Sequence, residues 1–219
     1  CFKNNKIEIL PFKPTNNIAI NVESDWSSAS YYYSLVTLSD NLIVTLKNYS
    51  ENSLQGDSEV ASIYKRLGVV TVYNDLDNSI QLKKSTVSIS DKLILNLNKT
   101  PDIAQTIAVS CVGLGLSCEL IGLKTLRIKE TDRLEALKTE LEKLGAKVEI
   151  TNESLKVFPS NKIKPNVVIE TYQDHRMAMA FAPLSMKTTI VINNPNVVTK
   201  SYKTFWEDLK RVGVYSNFK

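Results

Sequence analysis

The chain has little of several residues on which protein chemistry often rests. One histidine in 219 residues excludes a metal centre built from several imidazoles. The three cysteines, Cys1, Cys111 and Cys118, are an odd number, and two of them lie inside an apolar stretch. They read as reduced core thiols of a cytoplasmic protein, which excludes a disulfide framework and a zinc–thiolate site. No apolar run approaches the roughly 20 residues of a membrane-spanning helix, and the opening residues do not read as a secretory leader. Charge of one sign is scarce as well. Against 27 Lys and Arg stand 23 Asp and Glu, and the net +4 is too small to imply a nucleic-acid partner by itself. The first residue is Cys, not Met, and a piece of a longer protein is the expectation. What remains is ordinary globular material, 43% apolar and 23% charged, enough for one large core or two small ones.

An internal repeat organises this material. An aspartate opens an apolar stretch three times: Asp25 before SSASYYYSLVTL, Asp102 before IAQTIAVSCVGLGL, and Asp174 before HRMAMAFAPLS. Stretches apolar on all sides over about three turns predict helices in the interior. A strand-like run follows each, LIVTL at 42–46, CELIGL at 118–123 and TTIVI at 188–192. Then comes a second helix with apolar residues three and four apart. These are Val60, Ile63 and Leu67, then Leu134, Leu137, Leu141 and Leu144, then Phe205, Leu209 and Val212. Gly68, Gly145 and Gly213 stop these helices. The distance from aspartate to glycine is 43, 43 and 39 residues. With VVTVY and SIQLKK after the first copy, and KVEI and LKVFP after the second, each unit reads β-α-β-α-β-β. The third copy runs out in VYSNFK. Ahead of Asp25, IEILPFKPTNNIAINV has strand-like alternation broken by two prolines, and reads as an edge strand or the trailing end of a preceding domain.

The segments entering the second helices are Gln55-Gly56-Asp57, Lys129-Glu130-Thr131-Asp132-Arg133 and Thr199-Lys200-Ser201. Helix N-termini attract anions, and side-by-side packing of the units would gather these ends into a rim for phosphate and carboxylate groups. In the densest of them Arg127, Lys129 and Arg133 interleave with Glu130 and Asp132. Either Thr131 or Asp132 caps the helix, with Glu135 as the capping-box partner of Asp132. The plain alternative is a capped amphipathic helix with Glu135, Thr139 and Lys143 facing water. Asp102 and Asp25 read equally as helix caps and as functional carboxylates. His175 is a polar core residue or a functional one. Arg176 opposes the dipole of its own helix, so Asp174 or a bound anion must compensate. Met177 and Met179 read as core filling.

RIKETDRL, TYQDHRMAMAFA, DWSSASYY, SLQGD and TPDIAQTIA together resemble the C-terminal half of the 5-enolpyruvylshikimate-3-phosphate synthase family, in the same order and from about Asp25 to about Leu209. The resemblance implies an α+β fold, the alpha-beta prism of enolpyruvyl transferases, with three βαβαββ repeats, apolar helices inside and amphipathic helices outside. Residues 1–22 would be trailing strands of a missing N-terminal domain, and 23–219 the C-terminal three-repeat domain. It implies transfer of the enolpyruvyl group of phosphoenolpyruvate to the 5-hydroxyl of shikimate 3-phosphate in a cytoplasmic, monomeric parent enzyme, with no metal and no organic cofactor. Asp102 would be the base at the 5-hydroxyl, and Glu130 the acid/base partner at the methylene carbon. Arg133, Arg176 and Lys200 would hold phosphoenolpyruvate, Lys129 would touch shikimate 3-phosphate, and His175 would support Arg176 or Glu130. Lys124 or Thr125 stands where many members carry an Asn near the substrate. Lacking the family's N-terminal lysine and serine cluster, this chain alone would turn nothing over. The alternatives are a UDP-N-acetylglucosamine enolpyruvyl transferase, a nucleic-acid-binding or cyclase-like module, and a structural fragment that binds nothing tightly. The nucleic-acid alternative is weakened because Tyr31 to Tyr33 and Phe205-Trp206 lie on predicted helices, not among basic clusters.

Overall fold

The computed structural model describes all residues except 1, 4, 5, 14, 18, 20, 86–88, 90, 91, 161, 218 and 219. The reading of Cys1 as a core thiol, and the last residue pair of the chain, lie outside them. Six helices follow in chain order: α1 (Trp26–Leu38), α2 (Val60–Arg66), α3 (Ala104–Leu114), α4 (Arg133–Lys143), α5 (His175–Phe181) and α6 (Phe205–Arg211). The strands are β1 (Phe2–Lys3), β2 (Lys6–Ile7), β3 (Val44–Lys47), β4 (Val69–Asn74), β5 (Ser79–Lys84), β6 (Lys92–Asn96), β7 (Ser117–Ile121), β8 (Val148–Ile150), β9 (Ser154–Val157), β10 (Val167–Ile169) and β11 (Ile190–Ile192).

Apolarity on every side sends α1, α3 and α5 inside. Every residue of α1 except Ser28 is buried, as is α3 from Ala104 to Val112. Met177 and Met179 of α5 fill the core, and Cys111 and Cys118 are buried free thiols. The second helices lay one apolar face on this core. Val60, Ile63 and Leu67 are buried on or just after α2, and Leu134, Leu137, Leu141 and Leu144 on or just after α4. On α6, Phe205 and Leu209 are buried, and Val212 just beyond it is partly so. All three predicted glycine stops have positive φ. The aromatic pairs are core contacts. Phe205 meets Tyr31 edge-on at 5.7 Å between ring centres and Trp206 at 5.0 Å.

Hydroxyl pairs fix the register of the buried helices. Ser30 and Thr106 meet at 3.1 Å, and one turn on Ser34 and Ser110 meet at 2.8 Å. Tyr64 from α2 reaches the same Ser110 hydroxyl at 2.8 Å. Small polar residues on an otherwise apolar helix thus satisfy each other.

Three sheets flank these helices: β3-β5-β4, β6-β7-β9-β8 and β10-β11. The β6–β7 and β10–β11 pairs are parallel, and the β3–β5, β4–β5, β7–β9 and β8–β9 pairs are antiparallel. The middle unit shows all six expected elements. Among the described residues no strand ahead of α1 joins the sheet of the first unit, and the third unit ends at α6. The alternation expected before Asp25 yields, among the described residues there, only the β1–β2 pairing. Ile9, Leu10 and Phe12 are strongly exposed there.

Candidate active site

The repeat puts an aspartate ahead of each buried helix, and the structure uses the three differently. Asp25 caps α1, accepting from the amides of Ser27 and Ser28, both at 3.1 Å. Asp174 caps α5 through the Arg176 amide at 2.8 Å. Asp102 lies in a 3-10 turn (Pro101–Ile103) before α3, and no side chain caps that turn. It is held by cations instead. Lys129 Nζ is 3.1 Å from Oδ1, Arg133 Nη1 3.2 Å from Oδ1, and Arg176 Nη2 3.2 Å from Oδ2.

Arg133 is the hub. Its side chain is 1% exposed and touches three carboxylates: Nε to Asp174 Oδ2 at 2.6 Å, Nη2 to Glu130 Oε2 at 2.7 Å, and Nη1 to Asp102. A planar guanidinium with donors in a fixed fork suits this role, and an ammonium does not. The middle unit supplies Asp102, Lys129, Glu130 and Arg133, and the third supplies Asp174, His175 and Arg176. Burial would raise the Asp102 pKa, but Arg176, then Lys129 and Arg133, outweigh it and hold the carboxyl below its ordinary range.

Several expectations need correction. Of the two offsets weighed for Arg176 at the start of α5, Asp174 is in place: its carboxylate caps the helix through the Arg176 amide at 2.8 Å and also binds Arg133. Asp102 meets the Arg176 guanidinium itself at 3.2 Å, and the charges of Asp57 and Asp25 also act on it. The rim is not a free set of cations, since Lys129, Arg133 and Arg176 each already face a carboxylate. Arg127 has left it, pairing with Asp132 at 2.7 Å and donating to the Thr151 carbonyl. Asp132, not Thr131, caps α4. Glu135 does not close a capping box but leans toward Arg127 at 3.5 Å. Lys143 binds the fully buried Glu140 at 2.7 Å, so the face of α4 expected in water is partly engaged. Lys200 reaches the group from outside. Its Nζ donates to the Gln173 carbonyl at 2.7 Å, just ahead of Asp174. Thr125 is exposed on a 3-10 turn (Lys124–Ile128).

His175 Nδ1 lies 3.8 Å from both Glu130 Oε1 and Asp174 Oδ1, buried and without a hydrogen bond. Burial first, then Arg176 and Arg133, hold this imidazole below its ordinary range, against Asp174 and Glu130. Ligand-type atoms of Glu130, Asp174 and His175 do lie within 4.8 Å of one another. Both carboxylates, however, are hydrogen-bonded to Arg133, whose charge would repel a metal ion. A pH dependence follows. The unfolded chain protonates its histidine near pH 6.5, while the folded chain resists. The stability carried by neutral His175 is therefore complete above about pH 6.5 and lost as pH falls below it. Denaturant midpoints measured from pH 7.5 to 5 should decline in the parent chain, and His175→Gln should flatten that decline.

The sequence pattern names Asp174 as a partner for Arg176 but points neither to Asp57 nor to Tyr31. Tyr31 lies against Arg176 from another unit, and only folding brings them together.

The EPSP synthase (3-phosphoshikimate 1-carboxyvinyltransferase) family model matches residues 3–209. The chain is 42% identical over 204 residues to a 3-phosphoshikimate 1-carboxyvinyltransferase of Bacteroides fragilis, covering 92% of this chain and 49% of that protein. It is 34% identical over 189 residues to one of Neisseria meningitidis, covering 86% and 43%. The fold is similar to EPSP synthase from Acinetobacter baumannii, with a TM-score of 0.72 at 22% identity over 88% of this chain and 46% of that one. It is also similar to the enolpyruvyl transferase NikO from Streptomyces tendae, with a TM-score of 0.63 at 14% identity over 89% and 44%. The chain spans about half the length of the curated relatives it matches. Matched along nearly all of its sequence, and folded like the solved enolpyruvyl transferases, it belongs to the EPSP synthase family.

Proposed function

We propose that this chain forms one wall of an active site that transfers the enolpyruvyl group of phosphoenolpyruvate to the 5-hydroxyl of shikimate 3-phosphate, releasing phosphate. A companion N-terminal domain, fitting relatives of twice this length, would form the other wall, and residues 1–22 would lead from it into the three-repeat domain of 23–219. The buried reduced thiols fit the cytoplasm. The observation that carries the reading is Asp102: an uncapped, ionised carboxylate held by Lys129, Arg133 and Arg176.

The chemistry needs a base at the hydroxyl, an acid at the methylene carbon, and cations around phosphate and carboxylate groups. Asp102 takes the 5-hydroxyl proton as the oxygen attacks the carbon bearing the phosphate. Glu130 gives a proton to the methylene carbon, forming a tetrahedral adduct. Glu130 then takes a proton back from the methyl group as the C–O bond to phosphate breaks, and the leaving phosphate accepts the proton that Asp102 took. This leaves the enolpyruvyl ether, inorganic phosphate and both carboxyl groups as they began. Arg133, Arg176 and Lys200 hold phosphoenolpyruvate, and Lys129 touches shikimate 3-phosphate. Neutral His175 borders Glu130 and keeps a second positive charge away from it. Substrate anions that engage Arg176 and Lys129 weaken their pull on Asp102, which raises its basicity when the substrate arrives.

Titration of the chain with phosphoenolpyruvate, followed by NMR at Arg133, Arg176 and Lys200, should show saturable shifts. Flat signals at all three would sink the assignment of these residues as the anion site. Phosphate release from both substrates is expected only once the companion half is supplied.

A further inference from the structure

We propose that Gln55-Gly56-Asp57 is a positioning clamp: reaching from the first unit, it fixes the loop that carries Asp102 and so sets where that carboxylate meets Arg176. This rests on the reading of Asp102 as the reacting base. The segment was expected to receive an anion. It opens a 3-10 turn (Gly56–Glu59), and its three residues instead grip the loops that carry Asp25 and Asp102.

Gln55 holds the Asp25 side. Its Oε1 accepts from the Trp26 amide at 3.0 Å and its Nε2 donates to the Ser24 carbonyl at 2.9 Å, bracketing Asp25. Asp57 holds both sides. Its carboxylate accepts from the Ser27 hydroxyl on α1 and, at 2.5 Å, from the hydroxyl of Thr100, two residues before Asp102. Gly56 allows the approach, because a Cβ there would collide with the carbonyl oxygen of Lys99. Asp57 also acts on Arg176 by its charge, as Asp25 does. A negative side chain in this place repels an anion and suits a tie between loops. Neighbours in sequence thus do three separate jobs at one joint, and the joint is the place where the base must be aimed at its cations.

Thr100 tests the clamp, since its hydroxyl can be removed without a change of charge. In the ligand-free chain, the Asp102 carboxyl carbon is titrated by NMR. The groups facing it are Lys129, Arg133 and Arg176. With Thr100→Val the carboxylate loses its aim at these cations and should titrate higher by about half a pH unit or more. Thr100→Ser keeps the hydroxyl and should titrate like the parent. An unchanged titration in Thr100→Val, even with a lower melting temperature, would overturn the proposal and leave a plain structural tie. Should that variant not fold, Ser27→Ala loosens the other bond of Asp57. It should move Asp102 in the same direction by less, and no movement there counts equally against the clamp. The readout needs no substrate. Flat phosphoenolpyruvate signals would therefore remove the reading of the anion site without touching this result.

Discussion

Arg133→Met is expected to lower the stability of the chain by about 3–5 kcal/mol, a fall of about 10 °C in melting temperature for a domain of this size. The cause is Asp174. Its side chain is 0% exposed, and two of its hydrogen bonds come from the Arg133 guanidinium. Met fills a similar volume but leaves a buried carboxylate with the Arg176 amide and no facing cation. Asp102 and Glu130, 26% and 37% exposed, can turn to water, so they add less. A second substitution checks the assignment to Asp174: Arg133→Met combined with Asp174→Asn should recover much of the loss. Arg133→Lys should recover only a minor part, since one ammonium does not span three carboxylates. A melting temperature within about 2 °C of the parent would mean that the network is not a stability element.

Asp102→Asn is expected to bind inorganic phosphate about tenfold more tightly than the parent chain, equivalent to about 1.4 kcal/mol. In the parent, Asp102 faces Lys129, Arg133 and Arg176, and on the proposed reading of these cations as the anion site any phosphate has to compete with it for them. Two unit charges 4 Å apart at an effective dielectric of 20 interact by about 4 kcal/mol, and partial exposure takes most of that away. The amide is nearly the same size, so geometry should change little while the local charge rises by one. The same variant should abolish turnover once the companion half is present, because the amide accepts no proton. A calorimetric or phosphorus-NMR titration decides. Equal affinity in the two proteins would show that the carboxylate does not compete.

Period and spacing made the three buried helices, their amphipathic companions and the glycine stops legible, because burial on every side and a one-face pattern leave different traces. The motif residues of the middle and third units were legible as a set, and folding brings Asp102, Lys129, Glu130, Arg133, His175 and Arg176 into one group. What spacing did not separate was role. Asp25, Asp102 and Asp174 are equivalent in the repeat, and only the contacts of folded neighbours decide that two cap helices and the third faces cations. Arg127 and Arg133 are six residues apart and look alike in sequence. The 3-10 turn after Leu123 and the cap at Asp132 send one to the Thr151 loop and the other into the interior. Asp57 and Thr100 are 43 residues apart, and no local pattern links them.

The hydroxyl pairs between α1 and α3 carry a mechanical consequence. Ser30–Thr106 and Ser34–Ser110 are one turn apart, like two dowels through a pair of boards. Sliding one helix along the other would separate both at once. Ser30 and Ser110 keep their bonds to the Ser27 and Thr106 carbonyls, but the buried hydroxyls of Ser34 and Thr106 lose the partners that face them. The pair therefore travels as one piece, and the loops at its head, those of Asp25 and Asp102, keep a constant spacing during any larger excursion.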